Sequence, residues 1–177
     1  GKAVPHMRHY AALLYGIYIG LTVLEIILLL FGGMGFFDAL NTSFATAGTG
    51  GFGIHANNIA AYDTYYLQTV IAIFMLLFSL NFSFYILLLA RKFKQAFRME
   101  ELWVYLGIIV VSIAVITINI SSLYPTLYES FHQSFFYVSS IITTTGFGIG
   151  DVNHWPALSK AVIIIITFIG AMAGSTG

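Results

Sequence analysis

Two short runs in this sequence consist of residue types that hold cations with their backbones: Thr49-Gly-Gly-Phe-Gly-Ile54 and Thr144-Thr-Gly-Phe-Gly-Ile149. Glycine reaches backbone conformations closed to residues with a Cβ, so successive carbonyl oxygens can turn to one side and replace the water around an ion. The runs are copies of each other. An ungapped offset of 95 pairs Phe36 with Phe131, Thr49 with Thr144, Gly51 with Gly146, Phe52 with Phe147, Gly53 with Gly148 and Ile54 with Ile149. One Gly-rich run alone reads equally well as an outer loop with turn residues. Two copies at equivalent places are what a pore with internal pseudo-symmetry requires, and a repeat of this kind governs the whole reading of the fold.

Other reactive side chains show no such arrangement. His6, His9, His55, His132 and His154 have no metal-ligand spacing, and without cysteine neither a disulfide framework nor a thiolate metal site is available. Ser175, in Ala-Gly-Ser-Thr-Gly, permits an alternative reading as an intramembrane serine hydrolase using a histidine. Against it, Ser175 is expected deep in the membrane and all five histidines in loops, the amino-terminal arm or outer segments. A membrane module without transport is a second alternative. Glu25, inside an apolar stretch, is a functional candidate because inserting an ionisable group is costly; a protonated, protein-facing acid is the structural reading. Asn81 and Ser83 are expected to bond to neighbouring helices, with contact to the ion as the alternative. Asp151 either adds negative potential at an outer mouth or is a solvated loop acid.

The elements that must position these residues follow from composition. The chain has 177 residues, 59% hydrophobic and 8% charged, and zero net charge. Soluble domains carry about 25% charged residues, so the solvent implied is lipid. Zero net charge leaves no footprint for a nucleic acid. The chain begins at Gly1 without a signal-peptide pattern and reads as an internal piece. Four stretches approach the roughly 20 apolar residues that cross a bilayer: about 10–31, 67–90, 102–120 and 157–177. Between the first two, residues 36–48 as a helix would rise about 20 Å, too little for a core of about 30 Å. That helix must dip in and return, and its carboxyl end directs a negative dipole inward, favouring a cation. Non-helical backbone at this depth is tolerated only against protein or water.

The fold expected is therefore an all-α membrane protein of two tandem span, pore-helix, span repeats. The first covers 1–98, with helix and filter at about 36–54 and a link at 91–101; the second covers 99–177, with helix and filter at about 128–150. Six of seven basic residues, Lys2, Arg8, Arg91, Lys92, Lys94 and Arg98, fall on one side, so residues 1–9 and 91–101 are expected in the cytoplasm and both filters outside. Arg91 to Arg98 could also touch anionic lipid or a cytosolic partner. Tyr62, Tyr65, Tyr66, Trp103 and Trp155 fall near span ends, where aromatic rings settle at headgroup level.

The run Thr143-Thr-Thr-Gly-Phe-Gly-Ile-Gly-Asp151 resembles a potassium-channel selectivity filter. With Thr49-Gly-Gly-Phe-Gly-Ile-His55 and Phe168-Ile-Gly-Ala-Met-Ala-Gly-Ser-Thr-Gly177, the chain is similar to the membrane subunit of the Trk/Ktr potassium-uptake family, TrkH branch. The resemblance implies four such repeats around one pore with pseudo-fourfold symmetry, of which this chain holds the second and third. It also implies a homodimer in the bacterial inner membrane, on a cytosolic ring of nucleotide-binding regulatory subunits. Potassium is the implied ion and no cofactor is implied. Filter positions carry over to Thr49, Gly50, Gly51 and Phe52 and to Thr144, Thr145, Gly146 and Phe147. Gly53 and Gly148 depart from the family, which often has Ser or Thr there. An intramembrane gating loop carries over to Gly170, Ala171, Met172, Ala173, Gly174, Ser175, Thr176 and Gly177. From the residues alone, about 20 Å of helix over 157–169 passes the midplane, and three glycines then make a poor helix interior. A small-residue contact between packed helices is the other reading of that segment.

Overall fold

The computed structural model describes residues 3–48 and 64–176, with side chains over 8–48 and 64–173. The described residues are helical with no strand: α1 Ala3–Phe31, α2 Phe36–Ala47, α3 Tyr65–Ser79, α4 Phe82–Leu89, α5 Phe93–Ala96, α6 Glu100–Ile120, α7 Leu127–Ile142 and α8 Ala157–Thr176. Two stretches, Arg8–Phe31 and Glu100–Leu123, are each 24 residues long and apolar enough to cross a bilayer. The shorter α8 is apolar over Ala157–Ala173.

α2 and α7 are the short inner helices, of 12 and 16 residues. α7 starts where Thr126 accepts from the Glu129 backbone N–H at 3.1 Å, in the Thr-x-x-Glu order that satisfies free amides at a helix start. α2 has Asp38 in its first turn, where the helix dipole favours an acid. Their ends, Ala47 and Ile142, stand 95 positions apart, the same offset as the paired Thr/Gly runs.

The helices form two sets of three. α1, α2 and α3 each touch the other two, as do α6, α7 and α8, and α3 against α7 joins the sets. α7 is the most enclosed: Phe136, Val138 and Ser139 have no exposure. Its neighbours contribute Ile71 and Met75 from α3, Ile116 and Ile120 from α6, and Ile166 from α8 to the same core.

Two segments differ from the sequence expectation. The stretch 67–90 is not one straight span: α3 and α4 meet at 86°. Leu80 leaves the helix in extended conformation, and Asn81 caps α4 by accepting from the Ser83 N–H at 2.7 Å. Asn81 thus competes with the helix for a backbone amide, the local bond that makes Asn favour helix starts over interiors. Its amide also donates to Glu101 on α6 at 2.9 Å, so it does reach a neighbouring helix. Second, Gly170 to Thr176 continue α8 as helix and do not form a loop. Glycine costs a helix only about 1 kcal/mol relative to alanine, and Ala171, Met172 and Ala173 between the glycines are good formers.

Candidate functional site

The end of α7 organises the second Thr/Gly run. The N–H groups of Thr143, Thr144, Thr145 and Gly146 donate back to the last carbonyls of α7: to Ser139 at 3.3 Å, Ile141 at 3.0 Å, Ser140 at 3.0 Å and Ser140 at 3.3 Å. With the amides spent on the helix, the chain presents carbonyls elsewhere. No described residue donates to the carbonyls of Thr144, Thr145 and Gly146. Thr144 (φ 58°) and Gly146 (φ 86°) lie in the left-handed region, which an L side chain enters at a cost of about 1–2 kcal/mol. At Thr144 the hydroxyl donates to the Thr143 carbonyl at 2.7 Å, a local bond that offsets part of that cost.

Side chains alternate along the run. Thr145, Phe147 and Ile149 are buried, while Thr144, Gly146 and Gly150 are exposed. One face is therefore packed and the other open. The packed face is held by Ser140, whose hydroxyl donates to the Phe147 carbonyl at 2.6 Å, and by Thr143 and Thr145, whose hydroxyls are 2.8 Å apart. The Phe147 oxygen, expected among the ion ligands, is thus turned toward α7 and acts as an anchor of the run.

Tyr137 braces the outer end. Its hydroxyl donates to the Gly150 carbonyl and accepts from the Gly150 N–H at 3.2 Å. Trp155 meets the Tyr137 ring edge-on with centroids 5.3 Å apart, and its indole N–H donates to the Tyr124 hydroxyl at 3.1 Å. Trp155, expected at headgroup level, is instead 2% exposed because it closes this brace. Gly148 fits the same geometry: a Cβ there would stand 3.3 Å from the Tyr137 hydroxyl. Ser140, Tyr137 and Tyr124 were not singled out in the sequence, since nothing in their spacing distinguishes them from an ordinary helix face. Asp151 is exposed and accepts from the Asn153 N–H at 2.9 Å, so it also shapes its own loop.

Below the run, α8 touches the same helix end. A Cβ on Gly170 would collide with the Ile142 carbonyl and lie 3.2 Å from that of Ile141. Gly170 is thus a close-approach position, which accounts for that glycine by packing.

The first Thr/Gly run, including Thr49, Gly50, Gly51 and Phe52, lies outside the described residues, as do Gly53 and Gly177; side chains of Gly174, Ser175 and Thr176 are likewise not described. His132 is a correction: it is buried on α7, with Nε2 2.6 Å from Gln68 Oε1 on α3. It ties two helices together between the rings of Tyr65 and Tyr128. Among the described residues no three His, Asp or Glu side chains are grouped to hold a metal.

Long apolar helices around a short, enclosed inner helix define a helical, multi-pass membrane protein. The whole chain, residues 1–177, matches the family described as TrkH, cation transport protein, and the chain belongs to that family. It is 35% identical over 179 residues to the Trk system potassium uptake protein TrkH of Escherichia coli K12, covering 99% of this chain and 37% of that protein. It is 31% identical to TrkH of Halomonas elongata, at 99% and 37% coverage, and 30% identical to TrkG of Escherichia coli K12, at 99% and 36%. The crystal structure of the potassium transporter TrkH from Vibrio parahaemolyticus superposes with a TM-score of 0.85 at 27% identity, over 93% of this chain and 36% of that one. The chain therefore spans a little over a third of the relatives it matches. Those relatives are transport proteins and not enzymes.

Proposed function

We propose that this chain is part of a potassium pathway across the bacterial inner membrane, contributing two filter strands to a pore completed by two further repeats of the same polypeptide. One observation carries the reading: at the end of α7 the amides of residues 143–146 are spent on the helix, while the carbonyls of Thr144, Thr145 and Gly146 have no described protein donor. Carbonyl oxygens in this state replace the hydration shell of a monovalent cation. The negative end of the α7 dipole faces the same place and favours positive charge. The shared offset of the ends of α2 and α7 supports the same role for Thr49, Gly50 and Gly51, while Phe52 pairs with Phe147, whose carbonyl anchors the run. Potassium as the ion is supported by the potassium uptake relatives, and a homodimeric assembly on a cytosolic nucleotide-binding ring is part of the same proposal. The test is rubidium uptake into liposomes holding the full-length polypeptide, competed by potassium and sodium. Uptake displaced by potassium and not by sodium is expected; no uptake by folded protein, or labelling of Ser175 by a serine-directed probe, overturns the reading.

The proposal puts residues 1–9 and 91–101 in the cytoplasm and leaves both filters open to the outside. Arg91, Lys92, Lys94 and Arg98 are all exposed between α4 and α6, as a cytoplasmic link requires. A cysteine at Lys94 in the full-length polypeptide should react with an impermeant thiol reagent only after the cells are opened. Labelling in intact cells reverses the orientation.

The segment from Gly170 to Gly177 is the barrier beneath the filter. Gly170 fixes α8 against the last turn of α7, so the stretch it opens, with Gly174 and Gly177 as its other glycines, begins next to the end of that helix. A helix with that glycine content unwinds at little cost.

A further inference from the structure

α1 presents nearly all of its described side chains at least partly to the outside, with two buried residues, Leu29 and the acid Glu25. Glu25 has no exposure at all. The enclosure is made by this chain alone, so no other part of a longer polypeptide reaches the carboxyl group without displacing what covers it. Beside it stand the hydroxyls of Ser43 and Thr46, both fully buried near the carboxyl end of α2. None of these contacts has good hydrogen-bond geometry: both carboxyl oxygens of Glu25 and Oγ of Ser43 are buried without a partner. Thr46 donates its hydroxyl proton to the Thr42 carbonyl at 2.7 Å.

No cation faces this group from the described residues of the packed elements. The titratable side chains there are Asp38 on α2, Tyr65 and Tyr66 on α3 and Tyr85 on α4, with Tyr10, Tyr15 and Tyr18 on α1 itself. Arg8 and His9, on the same helix, are about 24 Å away or more at 1.5 Å per residue. An ionised carboxylate sealed in without a counter-charge costs several kcal/mol. The carboxyl end of α2 adds negative potential and raises that cost. The hydrogen-bond count decides in the same direction. A carboxylate would find one free donor here, Ser43, because the proton of Thr46 is already engaged. A carboxylic acid matches the groups present: with a small side-chain adjustment one oxygen can accept from Ser43 and the other can donate its proton to Thr46 Oγ1, which continues to donate to Thr42.

We propose that Glu25 is a positioning residue, a neutral carboxylic acid that ties α1 to the last turns of α2 and thereby fixes where the chain leaves that helix toward Thr49. The proposal rests on the reading of Thr49 to Phe52 as a filter strand. It also makes the two strands unequal in support. The acids of α6, Glu100 and Glu101, both lie in its first turn, so the body of α6 offers α7 no counterpart of Glu25.

The test uses infrared difference spectra and ion flux of the full-length polypeptide carrying Glu25→Gln, Glu25→Leu or Ser43→Ala. At neutral pH the carbonyl stretch of a protonated carboxylic acid should be present in the wild type, lost in Glu25→Gln and shifted in Ser43→Ala. The potassium-to-sodium flux ratio should stay near wild type in Glu25→Gln, whose amide both donates and accepts. It should fall about fivefold in Glu25→Leu, as loss of a buried hydrogen-bonded link allows. If Glu25→Leu does not fold, Ser43→Ala carries the flux readout and should lower the ratio in the same direction. No acid band assignable to Glu25 overturns the neutral acid. An unchanged ratio in folded Glu25→Leu or Ser43→Ala overturns the positioning role. Failure of the filter reading itself shows separately, as an unchanged ratio in Gly146→Ala with the infrared result intact.

Discussion

Replacing Gly146 by alanine in the full-length polypeptide is expected to lower discrimination of potassium over sodium about tenfold while leaving membrane insertion intact. The cause is conformational. Gly146 has φ 86°, where an L residue is strained, yet a Cβ built on it meets nothing within 4 Å. The strain of about 1–2 kcal/mol therefore cannot be blamed on crowding, and relief comes only by turning the peptide, which moves the carbonyls of Thr145 and Gly146 away from their common face. An energy of that size corresponds to about 5–30-fold in an equilibrium. Gly150→Ala is the matched control: a Cβ there also meets open space, and the backbone is not left-handed. The control should keep its selectivity. Equal ratios in wild type and Gly146→Ala, measured as reversal potentials or competed rubidium flux, would remove Gly146 from the filter. Gly51→Ala is expected to act in the same way by the repeat.

The composition of the chain announces helices in lipid, and the hydropathy pattern places α1 and α6 close to where they stand, because long apolar runs have few other solutions. The offset of 95 is legible for a different reason: it compares the chain with itself, and Ala47 and Ile142 end their helices at that spacing. What failed were interruptions. The break at Leu80 and Asn81 was hidden because Asn81 looks like any polar residue in a span until its side chain is seen capping α4. Conversely, the glycines after Ile169 suggested a break, while Gly170 is small because the Ile142 carbonyl lies against it. A glycine that permits close approach and a glycine that permits a loop have the same letter. The brace of Tyr137, Trp155 and Tyr124 was illegible for the related reason that aromatic residues near span ends usually mark the headgroup level. Only the return of the chain through Gly148 and Gly150 brings Tyr137 to the end of the run.

That ambiguity at α8 sets up the second large effect. Deleting Ala171 to Gly174 from the full-length polypeptide is expected to raise potassium flux about fivefold or more and to weaken control by a cytosolic partner, fivefold being the lower edge of typical couplings between a regulator and its target. The deletion is chosen to spare Gly170, so the close contact between α8 and the last turn of α7 remains. Four residues are about one helical turn, so the chain beyond the deletion keeps its face to within about 40° while being drawn up by about 6 Å. What is lost is the helical turn that follows the contact of Gly170 with the end of α7. If that material is the barrier, ions pass more freely once it is gone. If α8 is merely a packed span there, shortening it removes contacts and supplies no new path, so flux can only stay level or fall. Single-channel or liposome flux, normalised to folded protein, separates the two. Flux at or below wild type with folding intact would mean that the segment packs the helices together and that the gate lies elsewhere.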